Sequence, residues 1–248
     1  MKRIPLLLMI LLLCSFDTKM NNSLNDSDLK GKVKEVKDYF YGYGKTDTVL
    51  YTETASTYDM MGNEAYRKQY AAHTSKDAPM TSWRYRYNSD SNKIEEQAYN
   101  GDGRLESRTT FSYDHDKNIN QTNKYGPDGG LVENCMYEYN PHDKKTVCIC
   151  YSGMGDLKGR WTYAYDAHDN MVQERQDSGM VKSMRYDRSN NLVELKVYKP
   201  EAKDGNILMT RYMDIIKDRK GNWIKRTEVL LHNGTSDTMV HKRVITYY

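Results

Sequence analysis

A tyrosine followed by aspartate or asparagine recurs along this chain and constrains its fold more than any other feature. The copies begin at Tyr58, Tyr87, Tyr113, Tyr139, Tyr165 and Tyr186, spaced 29, 26, 26, 26 and 21 residues apart. Asparagine, or lysine in one copy, follows five residues after each of these tyrosines. A seventh, degenerate copy spans residues 217–223. Because a period of this length is the signature of a repeat architecture, we divide the chain into six or seven similar units.

Each unit contains two short runs in which residue types alternate with period two. Trp83, Tyr85 and Tyr87 lie on one side of such a run, and Arg84 and Arg86 lie on the other. Aromatic and β-branched residues between Asn, Asp and Gly turns are typical of antiparallel strands. The pattern therefore predicts an all-β domain over residues 29–248, an antiparallel β-meander of consecutive hairpins in units of about 26 residues.

The composition fits a folded chain whose buried surface comes largely from tyrosine. The sequence has 22 tyrosines and only 5 prolines, and its formal net charge is +3, from 37 basic and 34 acidic residues. A disordered chain combines low hydrophobicity with high net charge, and the second condition is absent here. The near balance of charges also argues against a nucleic-acid binder, which needs clustered excess Lys and Arg.

The residues of the repeat carry a resemblance to a known family. Tyr58-Asp59-x-x-Gly62-Asn63 and Tyr165-Asp166-x-x-Asp169-Asn170 resemble the YD repeats of the RHS family, and the resemblance covers about residues 31–248. In the large relatives many such repeats form a β-sheet shell around a toxic C-terminal domain. This chain differs in its period of 26, which is nearer 20 in the family, and in ending on a repeat strand.

Six or seven units are too few to close a shell like that of the large relatives, so we predict an open or curled repeat sheet. The chain looks more like the short, exported RHS-like lipoproteins of Gram-negative bacteria. That resemblance implies a cell-envelope location and no assigned activity, and it does not extend the toxin-delivery role to this chain.

The N-terminus has the three-part pattern of a secretory signal peptide. Lys2 and Arg3 precede an apolar run over residues 4–13, and a polar stretch follows. Cys14 directly after the apolar run predicts a lipoprotein-type signal over residues 1–14, lipidation of Cys14 and a flexible tether over residues 15–28. Ordinary cleavage near Ser15 is the alternative. We therefore expect an outer-membrane lipoprotein whose only membrane contact is its lipid anchor, or otherwise a periplasmic or secreted protein.

Three cysteines remain after export. Folding residues 135–150 as a hairpin brings Cys135 opposite about Cys148, which predicts a cross-strand disulfide between them, although buried thiols are an equal alternative. A zinc site from Cys148, Cys150 and His142 is a weaker reading, because the two-pair ligand spacing is absent. The turn acids could also bind calcium if they stacked along one edge, namely Asp59, Asp114, Asp166, Asp187 and Asp218. Asp in such turns is usually a cap, so we predict neither a metal nor another cofactor.

The expected function is non-enzymatic binding or scaffolding through one sheet face, with a protein or glycan of the cell envelope as partner. The candidate exposed aromatic contacts are Tyr39, Tyr41, Tyr43, Trp161 and Trp223. One alternative is a carbohydrate-active enzyme or a glycan-binding lipoprotein, and the carboxylates for the enzyme would include Glu95, Glu96 and Glu174. A toxin-associated or immunity protein is a third class, which rests on family analogy alone.

Overall fold

A computed structural model describes residues 29–43, 48–71, 79–201, 207–232 and 235–248. The predicted signal peptide with Cys14 and the predicted tether lie outside these residues, as does the side chain of Tyr43. Their roles therefore stay predictions.

The described residues form sixteen antiparallel strands, each hydrogen-bonded to its neighbour in sequence. The strands are β1 Val33–Tyr43, β2 Thr48–Tyr58, β3 Glu64–Ala71, β4 Thr81–Tyr87, β5 Lys93–Asn100, β6 Leu105–Tyr113, β7 Ile119–Tyr125, β8 Leu131–Tyr139, β9 Lys145–Ser152, β10 Leu157–Tyr165, β11 Met171–Gln176, β12 Val181–Tyr186, β13 Leu192–Tyr198, β14 Leu208–Lys217, β15 Trp223–His232 and β16 Thr235–Tyr247. The predicted meander of hairpins is present. Within the described ranges, no helix is long and apolar enough to cross a membrane.

The sheet is closed, so the expectation of an open or curled repeat sheet is wrong. β1 pairs with β16 along nearly its whole length, from Val33 opposite Tyr247 to Gly42 opposite Met239. Each repeat contributes two strands, and seven copies with the flanking segments therefore supply sixteen. Sixteen strands are enough to close a barrel. The expectation of an open sheet came from comparison with the much larger shell of the RHS relatives. Closure also removes the exposed strand edges that invite aggregation.

The turns after the leading tyrosines share one backbone conformation. The fourth residue after the repeat position has a positive φ in all seven copies, at Gly62, Ser91, Lys117, Asp143, Asp169, Asn190 and Gly221. The Asp or Asn before it caps the turn, as Asp59 Oδ1 accepts from the backbone N–H groups of Met61 and Asn63. Asp or Asn follows the tyrosine because a short side-chain oxygen at that position can accept from the turn amides. The left-handed residue then closes the turn, and Gly, Asn and Asp adopt that conformation most readily.

The repeat tyrosines connect each unit to the one before it. The hydroxyl of Tyr87 donates to the Glu64 carbonyl, that of Tyr113 to the Lys93 carbonyl, and that of Tyr139 to the Ile119 carbonyl. Tyr165 and Tyr186 repeat the contact with the carbonyls of Lys145 and Met171. Side-chain amides add a second link in some copies, where Asn63 donates to Ser91 Oγ and Asn118 donates to Asp143 Oδ1. The leading tyrosines are thus explained by the fold.

The barrel wall has two faces of different chemistry. Directly paired residues share a face, so Tyr85, Phe111, Tyr137 and Tyr163 lie on one side, which we call the aromatic face. The other side, the charged face, alternates with it and carries many ionised residues, including Lys37, Arg84, Glu95, Arg108, Arg160, Arg185, Glu194 and Arg211. The aromatic face also carries charges, among them Arg67, Glu96, Lys182 and Glu228.

The seam where the chain closes on itself contains one of two hydrophobic clusters in the described residues. Leu29, Val33, Val36 and Tyr58 are buried there, with Ile245 and Tyr247 packed against them. Hydrogen bonds across the seam join residues almost two hundred positions apart. Asn222 Oδ1 accepts from the Lys30 N–H at 2.7 Å, and its Nδ2 donates to the Lys30 carbonyl at 2.9 Å. The Tyr248 hydroxyl donates to the Tyr58 carbonyl.

Candidate functional site

A groove on the charged face runs across β1, β2 and β3, next to the seam. Its volume is about 260 Å³, it is open to solvent on one side, and its lining consists of Glu35, Lys37, Glu53, Ala55, Thr57, Tyr66, Lys68 and Tyr70. Two acidic and two basic side chains therefore lie beside two phenol rings. Alternation along β3 points Tyr66, Lys68 and Tyr70 to the same side.

The two lysines of the groove make different contacts. Lys37 Nζ lies 3.6 Å from Glu35 Oε1, and both side chains are about one-third exposed. Lys68 Nζ lies 5.3 Å from the ring centroid of Tyr66, within the range of a cation–π contact. The groove thus offers hydrogen-bond donors, acceptors and ring faces together, without a strong excess of either charge.

Tyr39 and Tyr41, two of the predicted aromatic contacts, extend this surface along β1. Their ring centroids are 6.4 Å apart, and Tyr39 lies opposite Glu53 of the groove. Burial raises the pKa of Tyr39, and the neighbouring Glu53 carboxylate raises it further. Both rings are half-buried, which leaves part of each available to a ligand.

The structure places Trp161 and Trp223, the other predicted contacts, in packed clusters of the aromatic face. Trp161 packs against the buried cysteines, and a Cβ at Gly159 would lie 2.8 Å from its ring. Trp223 lies beneath the guanidinium groups of Arg226 and Arg243, at 4.4 and 3.8 Å from their central carbons. Neither indole belongs to the groove.

A polar cluster lies around His241 beside Trp223. The imidazole is 5% exposed in its side chain, with Nε2 3.4 Å from Asp38 Oδ1 and Nδ1 3.4 Å from Glu228 Oε1. The Phe40 ring stacks on it with centroids 3.7 Å apart. Arg243 Nε donates to Asp38 Oδ1 at 2.8 Å. Because Asp38 and Phe40 come from β1 and His241 and Arg243 from β16, the cluster fastens the closing strands.

In this cluster, burial and the neighbouring charged groups have opposite effects on the pKa of each carboxyl group. Burial alone would raise the pKa of Asp38, but the hydrogen bond from His241 and the charge of Arg243 lower it to about 2. Burial likewise opposes ionisation of Glu228, and the hydrogen bond from His241 and the charge of Arg226 lower the pKa of that carboxyl. Sequence reasoning missed this cluster, since its members are far apart in the chain and follow no motif.

The carboxylates proposed for an enzyme are not brought together. Glu95 and Glu96 are successive residues of β5 and therefore point to opposite faces. Glu95 forms ion pairs with Arg86 and Arg108, at 3.3 and 3.4 Å. Glu174 lies on β11, six strands away, and its Oε1 is 2.7 Å from Lys182 Nζ. The three do not form the facing pair that glycoside hydrolysis uses.

The turn acids considered for calcium accept hydrogen bonds from backbone N–H groups of their own turns. Asp59 shows the arrangement, and the same two amide contacts recur at Asp166, Asp187 and Asp218. Hydrogen bonds from the side chain and backbone of Asn170 lower the pKa of Asp166. These acids are therefore used as turn caps.

The disulfide joins Cys135 to Cys150, so the predicted pairing with Cys148 is wrong. The prediction paired Tyr139 near Lys144, whereas Tyr139 lies opposite Lys145 and a bulge shifts the register again beyond Glu138. These two shifts move Cys150 opposite Cys135. All three sulfurs are buried, and Cys148 Sγ lies 3.6 Å from Cys150 Sγ. His142, the third zinc ligand considered, is exposed in the preceding turn.

Sequence reasoning also missed the groove, although Tyr66-x-Lys68-x-Tyr70 gave a signal for it. This run places two aromatic rings and a cation on one side of a strand. The convergence of Glu35 and Glu53 with that run depends on the register between β1, β2 and β3.

Comparison with known proteins gives a fold but no family. No protein-family model matches the chain, and neither does any curated protein sequence. Among solved structures, the chain is similar to a porin-like protein from Bacteroides uniformis, with a TM-score of 0.60 and 12% identity over 88% of this chain and 99% of that one. At this identity the likeness shows the fold alone, and it agrees with the barrel.

Toxin-complex structures also align with the chain. The TcdB2–TccC3–Cdc42 structure and the Tc holotoxin pore of Photorhabdus luminescens both cover 79% of this chain at 12% identity. The chain covers only 11% and 12% of those proteins, and the TM-scores are 0.31 and 0.30. Scores this low carry no argument about fold or function.

Proposed function

We propose that this protein is a non-enzymatic, exported β-repeat barrel of the cell envelope that binds a glycan in the groove of its charged face. The observation that carries the proposal is the combination of Tyr66 and Tyr70 with acidic and basic side chains in one open groove. Sugars present apolar ring faces together with hydroxyl groups, and phenol rings beside hydrogen-bonding side chains complement both.

An aqueous setting for the barrel is supported by the charges on both faces of its wall. Whichever face is outward, a lipid-embedded barrel would place charged side chains such as Arg86 and Arg185, or Arg67 and Lys182, against hydrocarbon. A basic residue on the lipid face costs about 2–4 kcal/mol at the membrane midplane. Attachment through lipidated Cys14 remains our proposal for anchoring, on the signal pattern and the resemblance to RHS-like lipoproteins.

The binding proposal is tested on the full chain carrying Cys14→Ser, against a panel of envelope polysaccharides and oligosaccharides. We expect a glycan to bind, and the Tyr66→Ala and Tyr70→Ala variants each to weaken binding about tenfold, the equivalent of 1.4 kcal/mol per ring. Tyr151→Ala is the matched control, because Tyr151 lies on the charged face of β9, six strands from the groove.

Three outcomes would contradict the proposal. One is the absence of any glycan ligand, and another is equal weakening by the control variant. The third is turnover of a bound glycan that Glu53→Gln abolishes, which would replace binding with catalysis. Anchoring is tested separately, since Cys14→Ala should release the protein from the membrane fraction and prevent its acylation.

A further inference from the structure

A single cross-strand disulfide does not explain why three buried cysteines lie together. Two cysteines suffice for a cross-strand bond, yet the sulfur atoms of Cys135, Cys148 and Cys150 all lie within 4.8 Å of one another. Cys148 and Cys150 alternate on β9, so the strand directs both thiols to the aromatic face, opposite Tyr137 and Cys135 of β8. All three residues are less than 8% exposed.

We propose that the dithiol form of this cluster is a three-thiolate site for a soft or borderline divalent metal ion of the zinc and cadmium class. Cysteine sulfur is the ligand that these ions prefer. With a zinc–sulfur distance of about 2.3 Å, a trigonal arrangement separates the sulfurs by about 4.0 Å. The Cys148 and Cys150 sulfurs are already 3.6 Å apart, close to that value. The sulfurs of Cys135 and Cys150 must separate when their bond opens, and Cys135 Sγ stays within reach of Cys148.

The charge around the cluster matches a divalent ion. Three thiolates with one divalent cation have a net charge of −1. The Lys145 side chain is buried in the same region, with Nζ 4.2 Å from the ring centroid of Tyr163 and 5.7 Å from that of Tyr137. Both rings pack against the cysteines. One ammonium group therefore balances the charge of the loaded site, which a buried anion requires.

The proposal makes metal binding dependent on the redox state. A thiol reductant supplies two electrons and two protons to the Cys135–Cys150 bond, which breaks to give two thiols, and the reductant leaves as its own disulfide. The ion then displaces three protons from the three thiols, one of them on Cys148. In the reverse direction a small-molecule disulfide accepts two electrons from the Cys135 and Cys150 thiolates and leaves as two thiols. The Cys135–Cys150 bond forms again, the ion is released, and Cys148 takes up a proton from water. The affinity should accordingly rise with pH.

The surrounding residues supply the rest of the site. Trp161 and Tyr163 of β10 cover the cysteines together with Tyr137, which limits access of water and competing ligands. Because β8, β9 and β10 are consecutive strands of a closed sheet, the backbone holds the ligands in place without the metal. The inference does not rest on glycan binding, since the cluster lies on the aromatic face and the groove on the charged face.

The test uses the full chain with Cys14→Ser, so that the three clustered cysteines are the only thiols. The protein is reduced under argon, the reductant is removed, and Cd²⁺ is added while the ultraviolet sulfur-to-cadmium charge-transfer band is recorded. We expect one Cd²⁺ per chain and no band in the oxidised protein. Zn²⁺ should displace Cd²⁺ competitively, and the band should strengthen as the pH rises.

Two variants separate a built site from chance binding by thiols. Cys148→Ser retains the disulfide pair, so its oxidised form reports whether the fold is intact. Its reduced form should bind Cd²⁺ roughly a hundredfold more weakly than the reduced parent. Loss of a residue that only supports a ligand already lowers metal affinity about 10- to 100-fold, and Cys148 is itself a ligand in this proposal. Lys145→Met keeps all three ligands and should weaken binding about tenfold through the lost charge.

The proposal is overturned if reduced Cys148→Ser binds Cd²⁺ as tightly as the parent, because two thiolates would then suffice. It is also overturned if the reduced parent gives no band. If reduction abolishes the near-ultraviolet circular dichroism and Cd²⁺ does not restore it, the cluster does not survive as a metal site. Restoration of the signal by one equivalent of Cd²⁺ supports the proposal.

Discussion

Replacement of Asp38 by asparagine tests the charge cluster that fastens β1 to β16. In the folded protein Asp38 accepts from Arg243 and lies 3.4 Å from His241, and its pKa falls from the ordinary value of 3.8 to about 2. That difference corresponds to about 2 kcal/mol of folding free energy. Because the folded-state pKa is the lower one, the ionised carboxylate stabilises the protein above pH 3.8, and this contribution is lost as the pH falls through 2.

The assay is urea unfolding of wild type and Asp38→Asn at several pH values between 7 and 2. We expect the variant to be about 2 kcal/mol less stable at pH 7, with the difference shrinking below pH 4 and nearly gone at pH 2. Asp237→Asn is the control on the neighbouring strand β16, since the Asp237 side chain is exposed and its replacement should change stability by less than about 0.5 kcal/mol. A difference between Asp38→Asn and wild type that stays constant from pH 7 to pH 2 would refute the argument.

Three further predictions concern the repeat and its disulfide. Tyr113→Phe removes the hydroxyl that donates to the Lys93 carbonyl at 2.7 Å and should lower the unfolding free energy by about 1 kcal/mol in urea titrations. An unchanged urea midpoint would show that this hydrogen bond between repeats does not stabilise the fold. At the positive-φ turn position, Lys117→Gly should raise stability by about 0.5–1 kcal/mol and Gly62→Ala should lower it by about 1 kcal/mol. Thermal unfolding measures both, and melting temperatures that shift in the same direction would contradict the role of φ. Cys135→Ser, which opens a loop with a sequence separation of 15, should cost about 3 kcal/mol under oxidising conditions and nothing when both proteins are reduced.

Local features of the fold could be predicted from the sequence because they depend on neighbouring residues. Alternation with period two located strands such as Thr81–Tyr87, and the Asp or Asn after each leading tyrosine marked the capped turns. The repeat also explained why so many tyrosines are present, although not the inter-repeat hydrogen bond that each hydroxyl makes. The faces of the wall follow directly from the same alternation.

Features that depend on register or on distant pairing could not be predicted. The bulge between Glu138 and Tyr139 helps decide which cysteine lies opposite Cys135. The same shift occurs before the other leading tyrosines, but alternation along the sequence predicts strands and does not specify a bulge. Closure depends on the accumulated twist and tilt of sixteen strands and on the pairing of Val33 with Tyr247, more than two hundred residues apart. The groove and the His241 cluster follow from these long-range pairings. The run Tyr66-x-Lys68-x-Tyr70 indicates the groove, and no run in the sequence indicates the cluster.

In a barrel built from equivalent repeats, a unique site must lie where the repeat is broken. The groove lies on β1 to β3, where closure brings the first strands beside the last one, and the His241 cluster lies at that same junction. The cysteine cluster marks a second break. The break there is the cysteines themselves, because the position of Lys145 is also lysine in the copy that begins at Tyr87, where Lys93 lies over the rings of Tyr85 and Phe111. Function is therefore better sought at departures from the repeat than at its tyrosines, since the latter are already used in holding one unit to the next.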